Sequence, residues 1–169
     1  FLAFRSVNTL THENDRANSD MREVQNGRAC RMYEEFPELY MQCSKRVEYT
    51  HNPQWYKGIE YQKEQERGYD YKEDQLVPGW FEMPMKRGES VIFSAGISEV
   101  KPSTLKALWT KELARRVPRD NMFGCLKNSA AQFYKREGDK CYLLAGYPWF
   151  HATAREEFIS MAACTMGIG

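Results

Sequence analysis

Residues 101–117, KPSTLKALWTKELARRV, are where this chain changes its period. After Pro102, the residues Leu105, Leu108, Trp109, Leu113 and Val117 recur at helical spacing and line one apolar stripe. Ser103 is placed to cap that helix and Pro118 to close it. Before this point the apolar residues fall in short aromatic-rich segments, at residues 1–7, 30–34, 38–43, 46–50, 58–62 and 91–95. Turn material separates several of them: Asn26-Gly27, His51-Asn52-Pro53, Pro78-Gly79 and Arg87-Gly88. Many short strands with such turns predict an antiparallel β-sandwich portion over residues 1–100. Residues 11–20 are polar and lack periodicity, which predicts a loop. Residues 64–74 are dense in charge, and composition alone makes them a solvated connection.

After residue 101 the pattern stays helical. Met122, Phe123, Leu126, Ala130, Phe133 and Tyr134 mark a second helix, with Gly138 as its stop. An extended segment at 141–150 follows. A last helix, from about 154 to 166, is expected to bury Phe158, Ile159, Ala162 and Met166. The fold class is therefore β then α.

Composition narrows the function. The 169 residues carry 24 basic and 23 acidic side chains with no long block of one sign. That argues against nucleic acid as the main partner, because phosphate binding needs a basic patch. No apolar run approaches the ~20 residues that span a membrane. The five cysteines are scattered without a C-x-x-C pair, so neither a zinc site nor a disulfide framework is indicated. Free thiols suit a reducing cytoplasm, and no cofactor is implied. The start inside a strand-like run, FLAFR, suggests a piece of a longer protein. If the missing strands lie before it, an unpaired sheet edge would favour self-association.

Residues 142–159 hold the densest chemistry. An apolar run from Tyr142 to Ala145 reaches Gly146; Tyr147, Pro148, Trp149 and Phe150 follow; then a helix opens with Arg155 and Glu156 in its first turn. Aromatic faces can stack on a sugar ring. Arg155 offers a planar fork of donors and Glu156 accepts only, a combination suited to a hydroxyl-rich ligand. Thr153-x-x-Glu156 also spells a capping box, in which the same side chains satisfy backbone donors. Trp149 and Phe150 can equally be core. His151 has no second histidine or cysteine at metal-ligand spacing, so no metal site is expected. The adjacent Glu156 and Glu157 point in different directions and make a poor catalytic pair.

Four stretches together resemble microbial glycogen debranching enzymes of the amylo-α-1,6-glucosidase type. They are FLAFRSVNTLTHEN (1–14), WYKGIEYQKEQERGYDYKED (55–74) with Pro78-Gly79 beyond it, GESVIFSA (88–95) and AGYPWF (145–150). The resemblance implies a second part of an N-terminal β-sandwich over 1–100, a linker helix over 101–119, and the first helices of an (α/α)6 toroid over 120–169. It implies a glycoside hydrolase that removes α-1,6-linked glucose at glycogen or α-glucan branch points with inversion. The acid and base of that family resemble residues far along the toroid, so no catalytic residue is assigned here. The family pattern W-G-R-D-T is replaced by Thr153, Ala154, Arg155, Glu156 and Glu157, which keeps the arginine but loses a stacking tryptophan. By resemblance, Trp149, Arg155 and Glu156 are substrate-binding residues for an α-glucan or glycogen-type oligosaccharide. Arg67, Glu73 and Asp74 become domain-interface residues. A non-catalytic glycan-binding or scaffolding protein derived from that family is the alternative.

Overall fold

A computed structural model describes residues 2–146 and 150–166 of the chain. The molecule divides into two compact units, Phe1–Thr110 and Lys111–Gly169. The first is β-rich. It holds β1 (Arg22–Val24), β2 (Gly27–Cys30), β3 (Leu39–Cys43), β4 (Glu48–Glu60), a short helix α1 (Gln62–Glu66), β5 (Lys72–Glu82) and β6 (Phe93–Gly96). Strands β1, β2, β3 and β6 form one antiparallel sheet in that order, and β4 pairs with β5 in a second. The order β then α stands: α2 (Leu105–Arg115) and α3 (Met122–Ala130) come next. The second unit also holds a three-stranded antiparallel sheet, β7 (Tyr134–Glu137), β8 (Lys140–Gly146) and β9 (Phe150–Ala152), before α4 (Ala154–Met161).

The long β4–β5 hairpin is the main departure from the sequence reading. His51-Asn52-Pro53 and Pro78-Gly79, expected as turns, lie inside these strands and face each other. His51 pairs with Gly79 and Gln54 with Val77, so Asn52 and Pro53 oppose Pro78 alone: a β-bulge. Proline is tolerated there because a bulge drops a ladder hydrogen bond. Gly79 is required by close approach, since a Cβ on it would lie 2.1 Å from the Thr50 carbonyl oxygen. A second bulge sets Lys57 and Gly58 against Asp74, with Gly58 at φ +68°. The charged stretch 64–74 is thus the end of α1, a turn and the start of β5, not a loop throughout.

Other expectations also shift. Residues 2–7 run as irregular backbone, not a strand; Leu2 and Phe4 pack on the core and the Arg5 side chain pairs with Glu73. The strand expected at 30–34 ends at Cys30; Met32 and Tyr33 turn inward with Leu76 as core, packed by Leu2, Phe4, Ala17, Phe36 and Trp55. The 58–62 segment splits into the end of β4 and the start of α1. Residues 11–20 form a loop, as expected. Ser103 lies inside a single 3-10 turn, Pro102–Thr104, whose N-cap is Lys101, so it does not cap α2. The second helix stops at Ala130, and Gly138 sits in the β7–β8 hairpin turn at φ +59° instead of ending a helix. Phe158 and Ile159 are 73% and 70% exposed, and Ala162 is exposed too, so the last helix does not bury the face its spacing suggested. Met166 side-chain burial lies outside the described residues.

Candidate functional site

A fully buried carboxylate organises the first unit. Burial along β5 falls at Glu73, Leu76 and Pro78, and Glu73 lies next to the point where the β4 bulge opposes Asp74. Its side chain has 0% exposure. The Arg5 guanidinium grips it through two nitrogens, Nε to Oε1 and Nη2 to Oε2, the latter at 3.1 Å. Tyr61 Oη donates to Oε2 at 2.5 Å and Gln75 Nε2 at 3.1 Å, while the Thr11 backbone N–H reaches Oε1 at 3.4 Å. Two-pronged arginine–carboxylate contacts are among the strongest hydrogen bonds proteins make. Burial pushes the Glu73 carboxyl up, but the Arg5 and Tyr61 hydrogen bonds outweigh it and hold it below the usual carboxylate range. Glu73 is therefore an anion whose charge is spent internally.

Asp74 continues the same fastening. Its backbone N–H donates to the Thr11 carbonyl at 2.7 Å. Its carboxylate accepts from the backbone N–H groups of Glu13 at 3.1 Å and Gly58 at 2.8 Å. Those two donors lower its pKa. Lys57 pairs with Glu13 beside it. Strand β5 thus binds residues 5–13 at several points, and so joins two of the stretches quoted above, 1–14 and 55–74.

The fastened segment forms one wall of an open groove of about 350 Å³. Arg5 Nη1 holds the turn by donating to the carbonyls of Ser6 at 3.0 Å and Val7 at 3.3 Å. Asn14 Nδ2 donates to the His12 carbonyl at 2.8 Å and to Tyr33 Oη at 3.1 Å. At the mouth, the Arg16 guanidinium lies 5.8 Å from the Tyr33 ring centre and 3.8 Å from Glu35.

The sequence-predicted site residues separate into three places. Glu73 and Asp74 belong to the fastening. Arg67 does not join them: it follows α1, donates to Glu64 at 3.2 Å and covers the Tyr69 ring at 5.0 Å. Trp149 lies outside the described residues. Arg155 and Glu156 sit in the first turn of α4, and Arg155 is 82% exposed, with Nη1 3.3 Å from Glu156. The capping box does not form. Thr153 Oγ1 donates to the Glu156 carboxylate, a contact that lowers its pKa, and no Thr153 side-chain bond reaches the helix backbone. Glu157 instead accepts from the Leu143 backbone N–H of β8 at 3.2 Å.

The groove and Arg5 were missed by sequence reasoning. One signal was present: Arg5 is a lone charge ending the apolar run Phe1–Phe4, which asks for a buried partner. Among the described residues no cluster of three or more metal-ligating side chains occurs, and no helix is long and apolar enough to cross a membrane.

Compared with known families, residues 1–92 match the one described as "Glycogen debranching enzyme N terminal". The match covers more than half of the 169 residues and contains the whole Arg5–Glu73–Asp74 network and the groove. No curated protein and no solved structure matches the chain.

Proposed function

The chain belongs to the glycogen debranching enzyme N-terminal family, and on that premise we propose that it is part of a glycoside hydrolase. The whole enzyme removes α-1,6-linked glucose at glycogen or α-glucan branch points. The observation that carries this reading is the family match over residues 1–92. In this reading residues 1–100 are β-sandwich, 101–119 a linker helix and 120–169 the start of a helical toroid. The reaction is inverting, with two carboxyl groups roughly 6.5–9.5 Å apart and a water between one of them and the sugar. Both lie outside these 169 residues.

The residues present here then bind and position. Arg155 donates and Glu156 accepts at a terminal glucose, with Trp149 as the stacking surface. Arg67 and Asp74 help to fix the β-rich part to the toroid, while Glu73 serves from within by holding the 5–13 segment rigid. Glucose release from a branched limit dextrin tests this in the longer protein. Release is expected to fall several-fold in Glu156→Gln and further in Arg155→Ala. A longer protein that cleaves no α-1,6 bond would overturn the reading.

A further inference from the structure

We propose that the groove between residues 4–16 and 33–36 is a second carbohydrate site, one that takes a short α-1,4-linked glucan. Its volume of about 350 Å³ lies at the lower end of the ~300–1,000 Å³ of ligand pockets, enough for one or two pyranose rings. Its chemistry selects a neutral, hydroxyl-rich ligand. Arg16 and Glu35 stand at the mouth with opposite charges, 77% and 55% exposed, so no net sign is offered to a phosphate or a carboxylate. They are 3.8 Å apart, beyond ordinary hydrogen-bond distance. A sugar hydroxyl entering between them can accept from the guanidinium and donate to the carboxylate.

The apolar side is also built. Phe36 is half-buried and held edge-on by Phe4 and Tyr33, at centroid distances of 6.5 and 6.4 Å. It provides a rigid surface for the C–H face of a ring. The opposite wall is fixed by the buried Arg5–Glu73 contact, so little ordering remains for a ligand to impose. The identity of the sugar rests on the glucan reading above; the preference for a neutral polyol rests on the groove alone.

The test is a 1H–15N titration of the 169-residue chain with maltotriose, with cellotriose and inorganic phosphate as comparison probes. Maltotriose is expected to shift the amide signals of Arg16, Glu35 and Phe36 saturably and more than either comparison probe. In the double variant Arg16→Ala/Glu35→Gln, whose changes are on exposed side chains, Kd is expected to rise at least tenfold with the rest of the spectrum unchanged. Absence of saturable shifts at the groove, or stronger shifts with phosphate, overturns the inference. Glucose release by the longer protein is measured in parallel. Release with a silent groove overturns the groove and leaves the hydrolase reading; groove binding without release does the reverse.

Discussion

Replacing Arg5 by Met strands a fully buried charge, the Glu73 carboxylate. The Glu73 side chain is 0% exposed, and among the described residues the cation it bonds is Arg5, through two nitrogens. Breaking a buried pair by removing one member costs ~3–5 kcal/mol, because the survivor keeps its desolvation without its partner. That is a large share of the ~5–15 kcal/mol that holds a typical domain together. With a urea dependence of about 2 kcal/mol per molar, the unfolding midpoint should drop by about 1.5–2.5 M. Tryptophan fluorescence during urea denaturation of the 169-residue chain follows it.

The sign with pH is fixed by the same contacts. In the native chain Glu73 titrates below its ordinary value, so its contribution is present above the unfolded pKa of about 4.3 and is lost as pH falls through the lower folded value. Without Arg5, the burial that raises the Glu73 pKa stays while the Arg5 contacts that lower it are lost, so the folded pKa moves up from its native value. The deficit is then largest near neutrality and shrinks as pH falls and the stranded Glu73 takes up a proton. Adding Glu73→Gln removes the stranded charge, so the double variant should be more stable at neutral pH than Arg5→Met alone. A midpoint unchanged by Arg5→Met, or a double variant that loses more than the single one, would refute the reasoning.

Gly79→Ala pushes a Cβ to 2.1 Å from the Thr50 carbonyl oxygen and should cost ~1–3 kcal/mol by thermal unfolding. Gly58→Ala meets open space but keeps φ at +68°, so its cost of ~1–2 kcal/mol should come from backbone conformation alone. An aromatic disulfide reagent should label Cys125 and Cys141 quickly in the folded chain, since both are exposed. Cys30, whose thiol is pushed up to about 11 by burial and by nearby Glu38, and Cys43, raised by burial, should react only on unfolding. Arg155→Ala removes an exposed pair, and its effect on the stability of the 169-residue chain should stay within ~0.5 kcal/mol.

The legible parts of this fold were those where one physical signal acted alone. Leu105, Leu108, Trp109 and Leu113 keep helical spacing through α2, and the helix is there. Residues 38–43 read as one short apolar, aromatic-containing segment, and Leu39–Cys43 form β3. Where two signals met, the local one misled. Pro53 and Pro78 read as turns, yet the bulge between them absorbs both into a long hairpin. Asn26 was read with Gly27 as turn material, and the turn is there, but Asn26 itself takes the positive φ of +53° while Gly27 starts β2. Phe158 and Ile159 have core chemistry and helical spacing but are exposed. Spacing identifies an apolar face without saying what covers it. Arg5 and Glu73 are 68 residues apart in sequence, and no periodicity links such a pair. Only the closing of β4 on β5 brings Glu73 to the N-terminal segment.

The central claim is that this chain serves an inverting α-1,6-glucosidase, and the anomer of the first glucose released tests it most directly. Proton NMR at early times, with the longer protein acting on a branched α-glucan, reads the anomeric signals before mutarotation mixes them. Attack by water on the face opposite the leaving group turns an α-linkage into β-glucose. The account predicts β-glucose first, and none from the 169-residue chain by itself. Release of α-glucose, or glucose formed by the 169 residues alone, would contradict it.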